Sequence, residues 1–344
     1  RVPADALDEA QAARIAETFA AGHPTLRAPY AALEQRVRSG GRLTVSELRD
    51  LQVWSTLSWF GATARRDWPA LEALRAKRGG FTEDDKRVVL AIQEELVTAL
   101  PSLWRTVAEA DGTAFSLSAY DHPILPLLVD ARSARRAMPD VPEVDFVWPQ
   151  DALAQLERAR ARSVELLGRA PPGLWPSEGS VSPEVVELAA RAGFRWLCSD
   201  HGVLERSERL GGRTPGGWDL GHGMRGFFRD TDLSDRIGFR YAGVPAAEAA
   251  EDFLAAAVRA AGDGLAVVAL DGENPWETFA DAGGAFREQL RAVLDDGPLT
   301  PVRLDDECRR PPVGTVQHLH TGSWIGADFA IWIGHEEDRR GWRQ

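Results

Sequence analysis

Three carboxylates in this 344-residue chain stand where a protein would place them for chemistry. Glu178 lies in Trp175-Pro176-Ser177-Glu178-Gly179-Ser180, just past the short apolar stretch 173–175. Ser182-Pro183-Glu184 follows and reads as an N-cap, a first-turn proline and a first-turn acid. Strand, carboxylate on the loop, then helix is how α/β proteins expose a catalytic group at the carboxyl ends of a sheet. Asp271 and Glu273 lie in Asp271-Gly272-Glu273-Asn274, directly after the apolar run 265–270, which reads as a fully buried strand. Cleaving a glycosidic bond takes one ionised carboxylate and one kept protonated, and an apolar strand end raises an acid's pKa by desolvation. The same residues also fit two plainer readings, a βα-turn with a solvated Glu178 and an ordinary Asp-Gly turn.

The elements that must position these groups change in kind near residue 110. Before it the pattern is helical: 7–21 and 29–38 carry apolar residues at helical spacing, and Thr44 and Thr82 open helices over 45–59 and 82–108. Both threonines have an acid three residues on, Glu47 and Asp85, the reciprocal capping pattern. Residues 51–64 are apolar on more than one face and are expected between other elements. After residue 110 strands are expected at 113–119, 173–175, 194–199, 225–229, 265–270 and 299–302. Helices at 150–167, 183–192, 246–261 and 284–294 separate most of them. This repeat predicts a parallel sheet, as an incomplete barrel in preference to an open doubly wound sheet. Residues 211–217, rich in Gly and Pro, read as a loop or small hairpin.

Composition bounds the partners. The net charge of −12 argues against nucleic acid and anionic membrane surfaces, and no apolar run reaches the length of a membrane span. No Gly-rich phosphate loop follows any strand, which removes nucleotide-binding alternatives. Cys198 and Cys308 fit no zinc spacing and read as two reduced core thiols. Twelve tryptophans against three tyrosines provide indole faces of the kind that stack on sugar rings, although most Trp in any domain is core. The absence of a signal-like stretch predicts a cytoplasmic protein.

Five motifs, in this order along the chain, resemble family 57 of the glycoside hydrolases. They are Tyr120-Asp121-His122-Pro123-Ile124-Leu125-Pro126-Leu127-Leu128, the Glu178 motif, Phe228-Arg229-Asp230 with Leu233-Ser234-Asp235, the Asp271 motif, and Ser323-Trp324-Ile325 with Ile331-Trp332-Ile333-Gly334-His335. The resemblance spans roughly residues 40–344. It implies a retaining enzyme acting on α-1,4-linked glucans or maltooligosaccharides, with Glu178 as nucleophile, Asp271 as general acid/base, and no metal or cofactor. It also implies a (β/α)7-type barrel within residues 1–310, including the helical segment 1–110, with 311–344 beginning a C-terminal helical region. The family's first barrel strand, with its His-Gln-Pro, has no counterpart, since His23-Pro24 lies in a helical stretch. The chain is therefore expected to be truncated at its N-terminus, leaving an open edge between the strands at 113–119 and 299–302 and a poorly soluble or inactive fragment. An acid that relatives carry on the strand before His-Pro is replaced here by Ala114.

The remaining candidates each carry two readings. His122 either binds a sugar hydroxyl or structures a turn. Asp200 and Asp230 end strands, where each either caps the next helix or touches sugar. Trp175, Trp276 and Trp324 line subsites or pack in the core, and Glu273 is a second acid beside Asp271. His318 and His320 are two apart, as a strand could present a metal site, but no third ligand lies nearby in sequence. On the same site a 4-α-glucanotransferase or a branching enzyme is the alternative to hydrolysis. More distant are a non-catalytic sugar-binding protein and a metal-dependent polysaccharide deacetylase. The latter needs two histidines four apart, a spacing absent here.

Overall fold

The computed structural model describes residues 2–20, 23, 26–110, 112–207, 216–279, 283–295 and 297–344. The chain divides into two compact units. One comprises Arg1–Leu100, Gly238–Ala247 and Asp271–Glu288, and the other Pro101–Ile237, Glu248–Leu270 and Gln289–Gln344.

The first unit is helical, as the local signals require. Thr44 Oγ1 accepts from Glu47 N at 3.3 Å while Glu47 Oε2 accepts from Thr44 N at 2.9 Å, and Thr82 and Asp85 repeat the exchange at 3.2 and 2.7 Å. Each pair satisfies two amide donors that the first helical turn leaves without partners. Helix Val45–Ser58 buries Leu48, Leu51, Val53, Trp54 and Leu57, which lie on several of its faces. It runs through the centre of a core that also holds Tyr30, Leu71, Phe81 and Val89. Two further helices, Ala62–Asp67 and Pro69–Lys77, were not expected. The first has only Gly61 before it and the second begins on Pro69, so neither offers a side-chain cap.

The second unit is an α/β fold built on a mixed five-stranded sheet. Its strands are β1 (Ser116–Leu117), β2 (Gly173–Leu174), β3 (Trp196–Asp200), β4 (Trp218–Asp219) and β5 (Arg225–Arg229), in the order β1-β2-β3-β5-β4. The first four in that order are parallel, and β4 is antiparallel at the edge. Gly173 is required at its place in β2, because a Cβ there would lie 2.0 Å from the Trp196 ring. Leu174, Leu197, Val181, Val185, Ala189 and Phe194 close the core between this sheet and helices Pro149–Leu167 and Pro183–Arg191.

The expected strands are only partly realised. β5 matches its expected range, β3 starts two residues later than expected, at Trp196, and runs one residue further to Asp200, and β1 shortens to two paired residues. Residues 265–270 form no strand: the main chain makes one bond to β5's end, Asp230 N to Val267 O at 2.7 Å. Side chains take its next groups, with Ser234 Oγ accepting from Ala269 N and Arg229 Nη1 donating to Ala269 O. Residues 299–302 also pair with nothing as a strand; Pro301 has no amide to donate, and Thr300 and Val302 are exposed. Of the expected 211–217 loop, residues 211–215 lie outside the described residues. Both cysteines are free, and burial pushes the Cys198 thiol up to about 12.

Candidate active site

The chain leaves β2 through Pro176 into a tight turn in which Glu178 adopts φ 59° and ψ 27°, a left-handed conformation unusual for a residue with a side chain. Such a conformation costs on the order of 1–3 kcal/mol and persists only where its surroundings fix it. Here Trp324 N donates to Glu178 O at 3.0 Å, Ser199 Oγ donates to Gly179 O at 2.6 Å, and Val181 and Gly322 exchange both backbone bonds. The turn is thereby fastened to the 322–324 segment and to β3.

Both carboxylate oxygens of Glu178 are engaged. Trp324 Nε1 donates to Oε2 at 2.8 Å, and His122 Nε2 lies 3.2 Å from Oε1. His122 is also left-handed, with φ 58°, in the turn after β1, where its amide donates to Ala119 O. Its other ring nitrogen, Nδ1, is 3.3 Å from Ser118 Oγ, which in turn is 3.4 Å from Ser177 Oγ. With Nε2 donating to Glu178, a neutral imidazole leaves Nδ1 to accept from the Ser118 hydroxyl. The Glu178 side chain keeps 28 % of its surface. It is therefore an oriented, hydrogen-bonded and reachable carboxylate, suited to attack an electrophilic carbon or to move a proton.

Behind Trp324 lies a buried ion pair. Arg229 Nε donates to Asp200 Oδ2 at 2.7 Å, and the same oxygen accepts from Thr231 Oγ1 at 3.0 Å. Asp200 Oδ1 accepts from Gly202 N at 2.7 Å, capping the helix His201–Ser207. The Arg229 guanidinium stacks on the Trp324 ring at 4.8 Å, and Trp175 meets that ring edge-on at 5.2 Å. An aligned indole is what aims Nε1 at Glu178. Removing one partner of a buried pair strands the other's charge. Arg229 Nη1 also lies 3.5 Å from Asp235 Oδ1, so Asp200→Ala should lose less than the roughly 3–5 kcal/mol of a fully stranded charge, about 2–3 kcal/mol in urea unfolding; a loss below about 1 kcal/mol, the range of exposed pairs, would contradict this reading.

The other candidates separate by surroundings. Of its two readings Asp230 realises the cap, its Oδ1 accepting from Leu233 N at 3.0 Å. Asp271, Gly272 and Glu273 belong to the helical unit and are exposed, in a turn closed by Asn274 N to Asp271 O at 3.1 Å. Trp276 Nε1 donates to Gly272 O at 3.0 Å, and its ring packs against His23 at 6.0 Å and Trp59 at 6.3 Å. Burial lowers the pKa of His23, opposed by the charge of Glu277. Ser118, Ser177 and Arg229 were not singled out from sequence as site residues; Ser177 and Arg229 each had a signal, their places in the Glu178 and Phe-Arg-Asp motifs, and Ser118 had none. Among the described residues no three His, Cys, Asp or Glu side chains are grouped to hold a metal ion.

The architecture is similar to a GH57-type branching enzyme from the hyperthermophilic archaeon Pyrococcus horikoshii, with a TM-score of 0.59 and 14 % identity over 94 % of this chain and 72 % of that one. A GH57 branching enzyme from Thermococcus kodakaraensis aligns with a TM-score of 0.58 and 14 % identity, over 96 % of this chain and 73 % of its own. An α-amylase from Thermotoga maritima aligns with a TM-score of 0.53 and 12 % identity, over 81 % and 64 %. At these identities the likeness is one of fold. No curated protein gives a significant match. The sequence profile of glycosyl hydrolase family 57 matches residues 29–304, which hold both Glu178 and Asp271, and the chain belongs to that family of glycoside-hydrolase-type enzymes.

Proposed function

We propose that this chain cleaves α-1,4-linked glucans with retention of configuration, using Glu178 as nucleophile and Asp271 as general acid/base. The observation that carries the reading is the Glu178 carboxylate, held by a hydrogen bond at each oxygen at the carboxyl end of β2. In the first step one Glu178 oxygen bonds to the anomeric carbon as the carbon–oxygen bond to the leaving sugar breaks, and Asp271 gives its proton to that departing oxygen. The Trp324 N–H holds the other oxygen, so the attacking one keeps its direction. In the second step Asp271, now ionised, takes a proton from the incoming hydroxyl as it displaces Glu178 from the sugar. Water as that hydroxyl gives hydrolysis, and a sugar hydroxyl gives transfer. A retaining mechanism puts the two carboxyl groups about 5–5.5 Å apart in the substrate-bound enzyme.

Trp175, Trp276 and Trp324 offer indole faces for sugar rings, and Glu273 offers a polar contact to hydroxyls; His122 contacts a sugar hydroxyl by exchanging its Ser118 bond for one to substrate. Asp200 and Asp230 act one step further back, through the ion pair and the cap. The parallel strands β1, β2, β3 and β5 are read as part of a (β/α)7-type barrel within residues 1–310. The substrate class rests on family membership together with the similar fold of enzymes named as branching enzymes and an amylase.

Incubation with defined maltooligosaccharides tests the function. Hydrolysis yields only shorter chains, 4-α-glucanotransfer yields longer ones as well, and branching introduces new α-1,6 links. Each of these outcomes keeps the shared glycosyl-enzyme; an enzyme inert towards every α-glucan but active on another glycan class would overturn the substrate assignment.

A further inference from the structure

A cavity of about 410 Å³ opens in the sheet-bearing unit. It is lined by Arg136, Arg206, His222, His318, His320 and Thr321, together with Gln317 and apolar residues, and by no aromatic ring other than imidazole. Three of the chain's seven histidines meet here, in a protein whose net charge is −12. Among the described residues no Asp or Glu lines the cavity. His318 and His320 therefore do gain a third histidine in space, although the three are not grouped as metal ligands among the described residues.

The individual groups define the chemistry the cavity can accept. Arg206 is exposed and donates one hydrogen bond, from Nη1 to Gly202 O at 3.2 Å, and makes no ion pair among the described residues. Arg136 is held by Glu184 through two bonds of 2.9 and 2.6 Å, and Nη1 also reaches Thr321 Oγ1 at 3.4 Å. His320 Nε2 lies 2.8 Å from the Ala327 carbonyl, which can only accept, so Nε2 carries the proton. Burial lowers the pKa of this imidazole, so it is neutral and its Nδ1 is an acceptor. His222 sits at the tip of the β4–β5 hairpin with φ 52° between two left-handed glycines, Gly221 and Gly223. An Asx turn, in which Gly221 N donates to Asp219 Oδ1, supports that tip.

We propose that this cavity binds a phosphate group, either free inorganic phosphate or the phosphomonoester of a sugar. A guanidinium with open donor positions matches a phosphate dianion, and a neutral imidazole acceptor suits a P–OH or a sugar hydroxyl. The lack of a flat aromatic face disfavours a neutral sugar held by stacking. The proposal does not depend on the roles of Glu178 or Asp271.

Titration calorimetry on the whole chain tests it, with inorganic phosphate and glucose 6-phosphate as probes. Both should bind saturably, and Arg206→Gln should weaken binding about tenfold or more, the size expected for losing one charge-assisted contact. Arg206→Lys should restore part of the loss, and His318→Ala should weaken binding severalfold while glucan turnover stays unchanged. Glucose 6-phosphate binding about tenfold tighter than inorganic phosphate assigns a sugar phosphate; equal affinity assigns the free anion. Absence of saturable binding by either probe, or binding that Arg206→Gln leaves unchanged, would overturn the proposal.

Discussion

Glu178→Gln should reduce glucan turnover by roughly four to six orders of magnitude, the scale seen when a covalent nucleophile is removed. The amide oxygen still accepts from Trp324 Nε1, and the left-handed backbone at residue 178 is the same for Gln as for Glu. The turn and the sugar contacts should therefore survive, and KM or ligand affinity should change by no more than a fewfold. That split between turnover and binding separates loss of a reacting group from loss of structure. In Glu178→Ala, where the shortened side chain leaves room, a small carboxylate such as formate should restore part of the activity. A fall below about a hundredfold, with no rescue, would remove Glu178 from the nucleophile's role.

Asp271→Asn should lower turnover of maltooligosaccharides by about 10²–10⁴-fold, the usual contribution of a positioned general acid. The loss should depend on the leaving group. A sugar alkoxide is a poor leaving group and needs the proton as its bond breaks; an activated aryl oxide departs nearly unaided. Formation of the glycosyl-enzyme from an aryl glycoside should thus be almost unaffected, with its breakdown now slow, giving a burst of aryl product. Equal slowing of both substrate types would move the acid role to Glu273, two residues away in the same exposed turn.

What could be read from sequence was whatever the chain decides locally. Helices Ala246–Ala261 and Gly284–Leu294 have their expected bounds because a 3.6-residue apolar spacing needs no distant partner to be seen. The caps at Thr44 and Thr82 are written in four consecutive residues each. The run 265–270 was read as a strand from its continuous apolar character, but a strand is made by its neighbours, and Ser234 and Arg229 side chains take the bonds a ladder would have used. The strands β1 and β2 were located but overestimated in length, since their pairing stops where the turns with His122 and Glu178 begin. Nothing in the chain marks Glu178 or His122 as left-handed, because that conformation is imposed by contacts 56 and 146 residues away in sequence. Trp324 was legible as an aromatic candidate; its part as a hydrogen-bond donor to Glu178, fixed by Arg229, was not. Asp200 has no local sign separating a buried ion pair from a cap or a sugar contact, and here it makes the first two.

The most direct measurement is to trap the covalent intermediate. A fluorinated maltosyl fluoride that forms the glycosyl-enzyme quickly and releases it slowly should add one fluoromaltosyl group, two sugar rings, to the intact protein as fluoride leaves. Proteolysis and mass spectrometry should then place that ester on Glu178, and Glu178→Gln should take up none. The adduct on any other carboxylate, or turnover of α-glucans with no adduct at all, would contradict the account.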